Sequence, residues 1–585
     1  MDRNSAIGLT LIALILIIYF QFFAAPPAVE PETITSEQPA VQQSTPGVAA
    51  IEQAPAADLA IGGIPTIEAR NIQVETDDLL LEFSNQGAVL RKVTLKEYLT
   101  YNKEPLVLLN EKTNRFSLLN KYNGNEVDLY QIGYEHAITK VNDTTKVVFV
   151  LKDSLGVLLK HVYSIPPKGY QIQYIIEDAR SSFISSDHLL YTWNQLITQK
   201  ERDPKETYNH TAINYYSISG GFDGLSERSS DTERDLIEKP VKWVAITEKF
   251  FTAAFLANNH FLTADVKTSP SAADDIVKEA QVQLLISGSD IREGKAAFRY
   301  YLGPNKYNVL KKVDTDFSRN LYLGWPPVIW VNKFIIIPLF QLFEKFIGNY
   351  GIIIILIVLV IKLALTPLSY RSYLSMAKMK VLKPELDQIK EQHGDDMTKV
   401  QQEQMKLYQQ VGVNPISGCV PLLLQMPILF AMFYFFPVSI ELRQEAFLWA
   451  DDLSTYDAFI NLPFTIPFYG SHVSLFTLLM TVSTIVYTWQ NNQISSVQGP
   501  MKTMGYIMPV VFMFVLNSFP AALSFYYFVS NLVTFAQQAI IRKFVDEDKI
   551  RKILDENRKR NVNKKKSAFQ LRLEEAMKAG QQKKK

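Results

Sequence analysis

The sequence predicts a two-part membrane protein: an all-β domain, an antiparallel sandwich of many strands at about 61–320, joined to a membrane α-helical bundle that brings the total to six transmembrane helices. Three observations carry that fold class. Alternating, β-branched and aromatic runs such as TTKVVFVLKD (144–153), YQIQYIIED (170–178), AQVQLLISG (280–288) and KAAFRYYLG (295–303) recur between Gly, Asn, Asp and Pro turns. Long apolar runs are concentrated between 329 and 541, and about 20 apolar residues are what a bilayer core requires of a helix. The bases of the connecting loops then divide by side. None of this shows in the averages, a net charge of +1 with 47% hydrophobic residues.

In chain order, segment 1–25 carries Arg3 and then an uncharged run from Ile7 to Phe23. That run exceeds the roughly 7 to 15 apolar residues of a cleaved signal peptide, so it reads as an uncleaved membrane anchor. Residues 26–60, rich in Pro, Ala, Gln, Glu and Thr, read as a disordered linker. In the sandwich, 61–320, neither the carboxylates nor the scattered histidines (His136, His161, His188, His210, His260) form a spacing that marks an active site. A scaffold or partner-docking role is the expectation there. Segment 324–349 sets Trp325, Trp330, Lys333, Glu344 and Lys345 at the borders of an apolar stretch, as expected of an amphipathic helix lying in the outer interface.

Five further spans follow within 350–541, at about 350–370, 416–438, 472–490, 504–519 and 521–541. The segment after the first of these carries Arg371, Lys378, Lys380, Lys383, Lys390, Lys399 and Lys406, whereas the next loop has Arg443 among Glu441, Glu445, Asp451, Asp452 and Asp457. The positive-inside rule puts the former in the cytoplasm and the latter outside. Both termini are then cytoplasmic and the sandwich is outside. A span at 324–349 would invert every later loop against that rule. Segment 371–411 breaks at HGDD (393–396), and its second arm spaces Met397, Val400, Gln404, Leu407 and Val411 along one seam, which predicts a cytoplasmic helical hairpin. The tail 542–585 is strongly basic, fit for a lipid surface or for ribosomal RNA. The single cysteine, Cys419, excludes an internal disulfide framework.

One charge, Lys362, stands in the run ILIVLVIKLALTPLSYRS (355–372). An intramembrane cation costs about 2.5 to 3.5 kcal/mol on insertion scales and marks a functional site by default. Thr366, Ser369 and Tyr373 continue from it at helical spacing. Ser474, Thr477, Thr481, Thr484 and Thr488 make a second polar stripe, Ser524, Tyr527, Asn531, Thr534 and Gln538 a third, and Gln425 adds an amide. Such stripes serve either as interhelical hydrogen-bond contacts or as the lining of a shared wet cavity. No Asp or Glu occurs at 412–440 or 470–545, so Lys362 has no carboxylate on those spans to pair with. Snorkelling to the headgroups is the competing account of the lysine. Methionines from Met376 onward, among them Met426, Met432, Met480, Met508 and Met513, suit surfaces that accept varied apolar shapes.

The segments LGWPPVIWV, PLSYRSYLSMAKMKVLKPEL, GVNPISGCVPLLLQMPILFAMFYF and MPVVFMFVLNSFPAALSFYYFVSNLVTFAQQ resemble the YidC membrane protein insertase family in its Gram-negative form. WVAITEKFFTAAF and YYLGPNKYNVLKK are similar to stretches of that family's periplasmic domain. The resemblance implies a periplasmic β-supersandwich and an insertase core of five transmembrane helices in the inner membrane. It also implies an activity without nucleotide or other cofactor, that of a non-enzymatic insertase and chaperone working alone or with the Sec translocon. Nascent membrane proteins, the ribosome (through the basic tail and the cytoplasmic hairpin) and the lipid bilayer are the implied partners. A groove would carry its charge at Lys362, five residues before Pro367, where relatives often have Arg, and would be lined by Thr366, Ser369, Gln425, Thr477, Thr481, Thr484, Asn531 and Thr534. The guest helix would slide along Leu423, Met426, Ile428, Phe430 and Phe433 of the third span and Val511, Phe512 and Val515 of the fifth. The alternative is a solute or ion transporter with a periplasmic binding domain, although no internal repeat and no acidic partner at mid-membrane supports it. No Walker loop, metal-ligand spacing or nucleophile motif is present.

Overall fold

Alternation along the strands builds the first half of the protein. Ile276–Ser287 (IVKEAQVQLLIS) sinks every second side chain, from Ile276 to Ile286, and leaves the intervening ones in partial contact with water. His188–Thr198 does the same beside it, in antiparallel register from His188–Ser287 to Thr198–Ile276. The computed structural model describes residues 67–122, 125–181, 183–273, 275–394, 396–414, 420–494 and 500–561. It divides into two compact units, the first ending at Leu321 and the second beginning at Tyr322. The anchor at 1–25, the linker at 26–60 and the tail beyond 561 lie outside the described residues.

Three antiparallel sheets of four, nine and six strands form the first unit. Gln171–Asp178, Ala297–Pro304 and Phe251–Phe261 occupy the middle of the nine-stranded sheet. Its buried face meets the six-stranded sheet through aromatic rings, Tyr191 stacking on Phe255 with centroids 4.7 Å apart. A chain of polar groups runs through this core. Tyr134 donates its hydroxyl to the Leu129 carbonyl at 2.9 Å, so His161 Nε2, 3.2 Å away, must be the donor to Tyr134 Oη. Nδ1 then accepts from the Tyr174 hydroxyl at 2.6 Å. The ring is neutral with both nitrogens satisfied, and burial pushes its pKa down to about 3.

The sign of the consequence is fixed. The unfolded chain takes up a proton on His161 near pH 6.5 and the folded one only near 3. Stability from this group is therefore complete above about pH 6.5 and is lost as pH falls toward 3. We expect the isolated unit, 67–321, to weaken over that window in urea melts, and His161→Phe to flatten the dependence. A slope unchanged in the variant would contradict the assignment.

The second unit opens with a helical segment, Pro326–Val331, a π turn, Asn332–Ile336, and Ile337–Glu344. Val328, Asn332, Ile336 and Phe340 are buried at four-residue steps, whereas Trp330, Phe334 and Leu342 are exposed. The segment and the next helix are both long and apolar enough to cross a membrane. That next helix, α1 (Tyr350–Val381), starts at Asn349, whose Oδ1 accepts from Ile352 N at 3.1 Å. At 32 residues it is about 48 Å long, more than a bilayer core needs, so its end stands clear of the apolar stretch. There follow α2 (Lys383–His393), α3 (Met397–Val411), α4 (Val420–Phe435), α5 (Leu475–Ile494), α6 (Pro500–Leu516), α7 (Ala521–Phe544) and α8 (Glu547–Asn561). α7 is central and packs on both α1 and α5.

Two boundaries differ from the sequence reading. The hairpin expected over 371–411 begins only at Lys383, because the helical pattern of α1 runs unbroken through Arg371 to Val381. The tail at 542–585 is not solvated throughout: α8 presents Ile550 and Leu554 to a core shared with Ala377 and Met379 of α1, Leu386 of α2, and Leu407, Tyr408 and Val411 of α3. Charges secure the same helix, Lys380 to Glu547 at 2.7 Å and Arg558 to Glu385 at 2.6 Å. Ile550 and Leu554, four residues apart, were the legible signal inside an otherwise charged stretch.

Candidate functional site

Lys362 lies on the inward face of α1, about one turn beyond the buried Val358 and next to the buried Ile361, and is itself only 7% exposed. Its Nζ donates to Thr534 Oγ1 of α7 at 2.9 Å and to Gln425 Oε1 of α4 at 3.3 Å. Among the described residues it makes no ion pair. Three helices thus converge on one cation through neutral oxygens, which partly offset its desolvation and leave its charge uncompensated.

Gln537 closes the arrangement. Its Nε2 donates to the Lys362 carbonyl and to Thr366 Oγ1, both at 2.9 Å, so α7 grips the backbone of α1 as well as its side chain. Sequence reading placed Gln538 on this stripe. The stripe runs Asn531, Thr534, Gln537 at steps of three, and a spacing of three was the signal that could have found it. Asn531 Nδ2 reaches α5, donating to Ser483 Oγ at 2.9 Å and Thr484 Oγ1 at 3.0 Å. Ser483 was also missed, since it falls between the threonines of the α5 stripe.

Thr366, Ser369, Gln425, Thr484, Asn531 and Thr534 are half-buried. Thr366 and Ser369 turn their hydroxyls to the Lys362 and Leu365 carbonyls. Thr477 and Thr481 sit apart from the lysine cluster. Both are buried where α5 crosses α7, Thr477 sharing a 2.9 Å hydrogen bond with Ser524 Oγ and Thr481 donating to the Thr477 carbonyl at 2.8 Å. Thr477 thus serves as an interhelical contact, and Thr481 bonds back within its own helix. On the apolar surface, Leu423, Met426, Val511 and Phe512 are exposed, and Ile428, Phe430 and Val515 are half-buried. Phe433, also half-buried, packs on Phe519 with ring centroids 5.1 Å apart.

Among the described residues no carboxylate pairs with the lysine, and the α6–α7 turn is closed by Asn517, whose Nδ2 donates to the Tyr469 and His472 carbonyls at 2.9 and 2.8 Å. A helical bundle that, among the described residues, buries Lys362 without an ion pair and exposes apolar helix faces, carried in one chain with a large antiparallel β domain, defines a membrane protein with a polar site inside its helices. Residues 342–549 match the 60Kd inner membrane protein family and residues 71–342 the YidC periplasmic domain. The chain is 44% identical to the membrane protein insertase YidC of Amoebophilus asiaticus over 99% of both chains. It is 42% identical to that of Cytophaga hutchinsonii over all of this chain and 98% of the relative. A crystal structure of an active YidC insertase with its first transmembrane domain resolved aligns with 91% of this chain and 98% of its own, at 18% identity and TM-score 0.33. The chain belongs to the YidC membrane protein insertase family.

Proposed function

We propose that the protein inserts nascent membrane proteins into the inner membrane by receiving their polar ends at the Lys362 cluster, with both of its own termini cytoplasmic and its β domain in the periplasm. The observation that carries this reading is a buried ammonium held, among the described residues, by the neutral oxygens of Thr534 and Gln425. Its field remains available to a visiting carboxylate, whereas an ion-paired lysine would be spent. A guest tail with one or two carboxylates loses several kcal/mol on entering hydrocarbon. Half-buried hydroxyls and amides around the ammonium remove much of that cost, and burial of about 20 apolar residues of the guest drives completion without nucleotide. The exposed faces of α4 (Leu423, Met426) and α6 (Val511, Phe512) offer the guest helix an apolar path into lipid. The α2–α3–α8 platform and the basic residues after it suit a ribosome at the cytoplasmic mouth, and the Sec translocon is a further partner.

Purified full-length protein in liposomes should insert a ribosome-released single-span guest, and empty liposomes should not. Equal protease protection of the guest in both would overturn the reading. The β domain should be dispensable for this activity. Removing 67–321 leaves no strand of the first unit behind, whereas a cut near residue 290 would strand Ala297–Pro304 without its neighbours. Insertion near the full-length level is expected of the 67–321 deletion. Its loss in a variant that still accumulates in the membrane would give the domain a direct part in insertion.

A further inference from the structure

The loop between α4 and α5 carries a small antiparallel hairpin, Ile460–Ile466 paired with Gly470–Val473. Two strands alone are marginal in water, and this pair is mounted firmly. Asn517 ties it to the α6–α7 turn, Tyr456 stacks on His472 with centroids 3.8 Å apart, and Tyr469 packs edge-on against Phe514. What the mount displays is apolar: Phe459 is 55% exposed, Ile460 51%, Phe464 61% and Phe468 89%. Phe468 is also held at φ +64°, a conformation that suits Gly or Asn and disfavours a bulky side chain. A strained, fully displayed ring at the tip gains nothing from packing inside this chain.

We propose that this hairpin is a bilayer-interface anchor, its Phe464 and Phe468 rings seated in the outer leaflet at the boundary of headgroups and acyl chains. Lipid is the occupant that fits, for two reasons. No Asp, Glu, Lys or Arg occurs from Ala458 to Met501, so the hairpin offers a protein partner no charge to specify it. The second strand also leads, through Ser474, directly into α5, one of the helices whose sequence predicts a membrane span, so the hairpin sits at the end of such a span. The choice of the outer leaflet rests on the topology proposed above.

The test uses full-length protein with Cys419→Ser in vesicles of phosphatidylethanolamine and phosphatidylglycerol. Phe468→Cys and, separately, Phe464→Cys carry a nitroxide, and power saturation compares collisions with oxygen and with a water-soluble nickel chelate. Leu363→Cys on α1, 67% exposed, is the lipid reference, and Leu155→Cys in the β domain, 83% exposed, is the water reference. The expected result is an oxygen-to-nickel ratio several-fold above that of Leu155 and approaching that of Leu363. A ratio equal to the Leu155 value, or low access to both reagents as for a ring covered by protein, would overturn the anchor. Side is tested independently by reacting Asp451→Cys in cells with a membrane-impermeant maleimide. Failure there overturns the outer-leaflet assignment while the saturation ratio still decides contact with lipid.

Discussion

Lys362→Glu is expected to abolish insertion of guests with acidic tails, Lys362→Met to reduce it about a hundredfold for those guests, and Lys362→Arg to retain it. The size follows from Coulomb's law: unit charges about 6 Å apart at an effective dielectric near 20 interact by roughly 3 kcal/mol, about a hundredfold in partitioning. Met keeps the length of the side chain, so packing against α7 survives while the charge goes. Part of the loss will be structural, because Thr534 and Gln425 lose a donor, at a cost of about 1 to 3 kcal/mol if they stay dry. Paired guests that differ only in tail charge separate the two effects at matched protein levels. A structural effect lowers both guests alike; an electrostatic one spares the uncharged tail. Snorkelling predicts instead that Met is tolerated with either guest.

The second large effect lies in the platform formed by α2, α3 and α8. Leu386 and Leu554 are 2% and 3% exposed in the core that joins α1, α2, α3 and α8. Leu554→Asp should release α8 and open the hairpin, because a small shared core cannot absorb a charge where about 2 to 5 kcal/mol of packing is already lost on truncation. Limited proteolysis should cut near 395 within α2–α3, and insertion should fall at least tenfold while the membrane helices remain assembled. Glu385→Gln, which removes only the partner of Arg558 at the rim, should have a small and salt-sensitive effect. Wild-type proteolysis and activity in Leu554→Asp would show the platform to be a mere connector.

How far the sequence reaches can be judged at particular residues. Strands of the β domain were legible because period-two alternation is local, and α1 because Ile352 to Leu365 admits one charge in an otherwise apolar run. Lys362, Gln425 and Thr534 were each visible as polar residues out of place, yet their meeting was not, since it depends on how α1, α4 and α7 cross. For the same reason the burial of Thr477 and Thr481 could not be told from the half-buried state of Thr484: a threonine enclosed between helices and one partly exposed share the same spacing. Gln537 was displaced by one position because steps of three and four both keep a helical face. The docking of α8 was only faintly signalled, by Ile550 and Leu554 four residues apart in a helix whose one other apolar residue is Ile553, and became plain where Ile550 and Leu554 meet Leu386 and Leu407.

Site-specific photocrosslinking to ribosome-bound nascent chains is the most direct measurement of whether a guest's polar end meets Lys362. A photoreactive residue at Thr534 or Gln425 should capture a short chain whose acidic tail and first apolar segment have just emerged, and should lose it when that tail is made basic. The same residue at Leu363, exposed on the outer surface of α1, should capture lipid and no guest. Equal capture at Leu363 and Thr534, or capture at Thr534 indifferent to the tail's charge, would contradict an electrostatic receiving site.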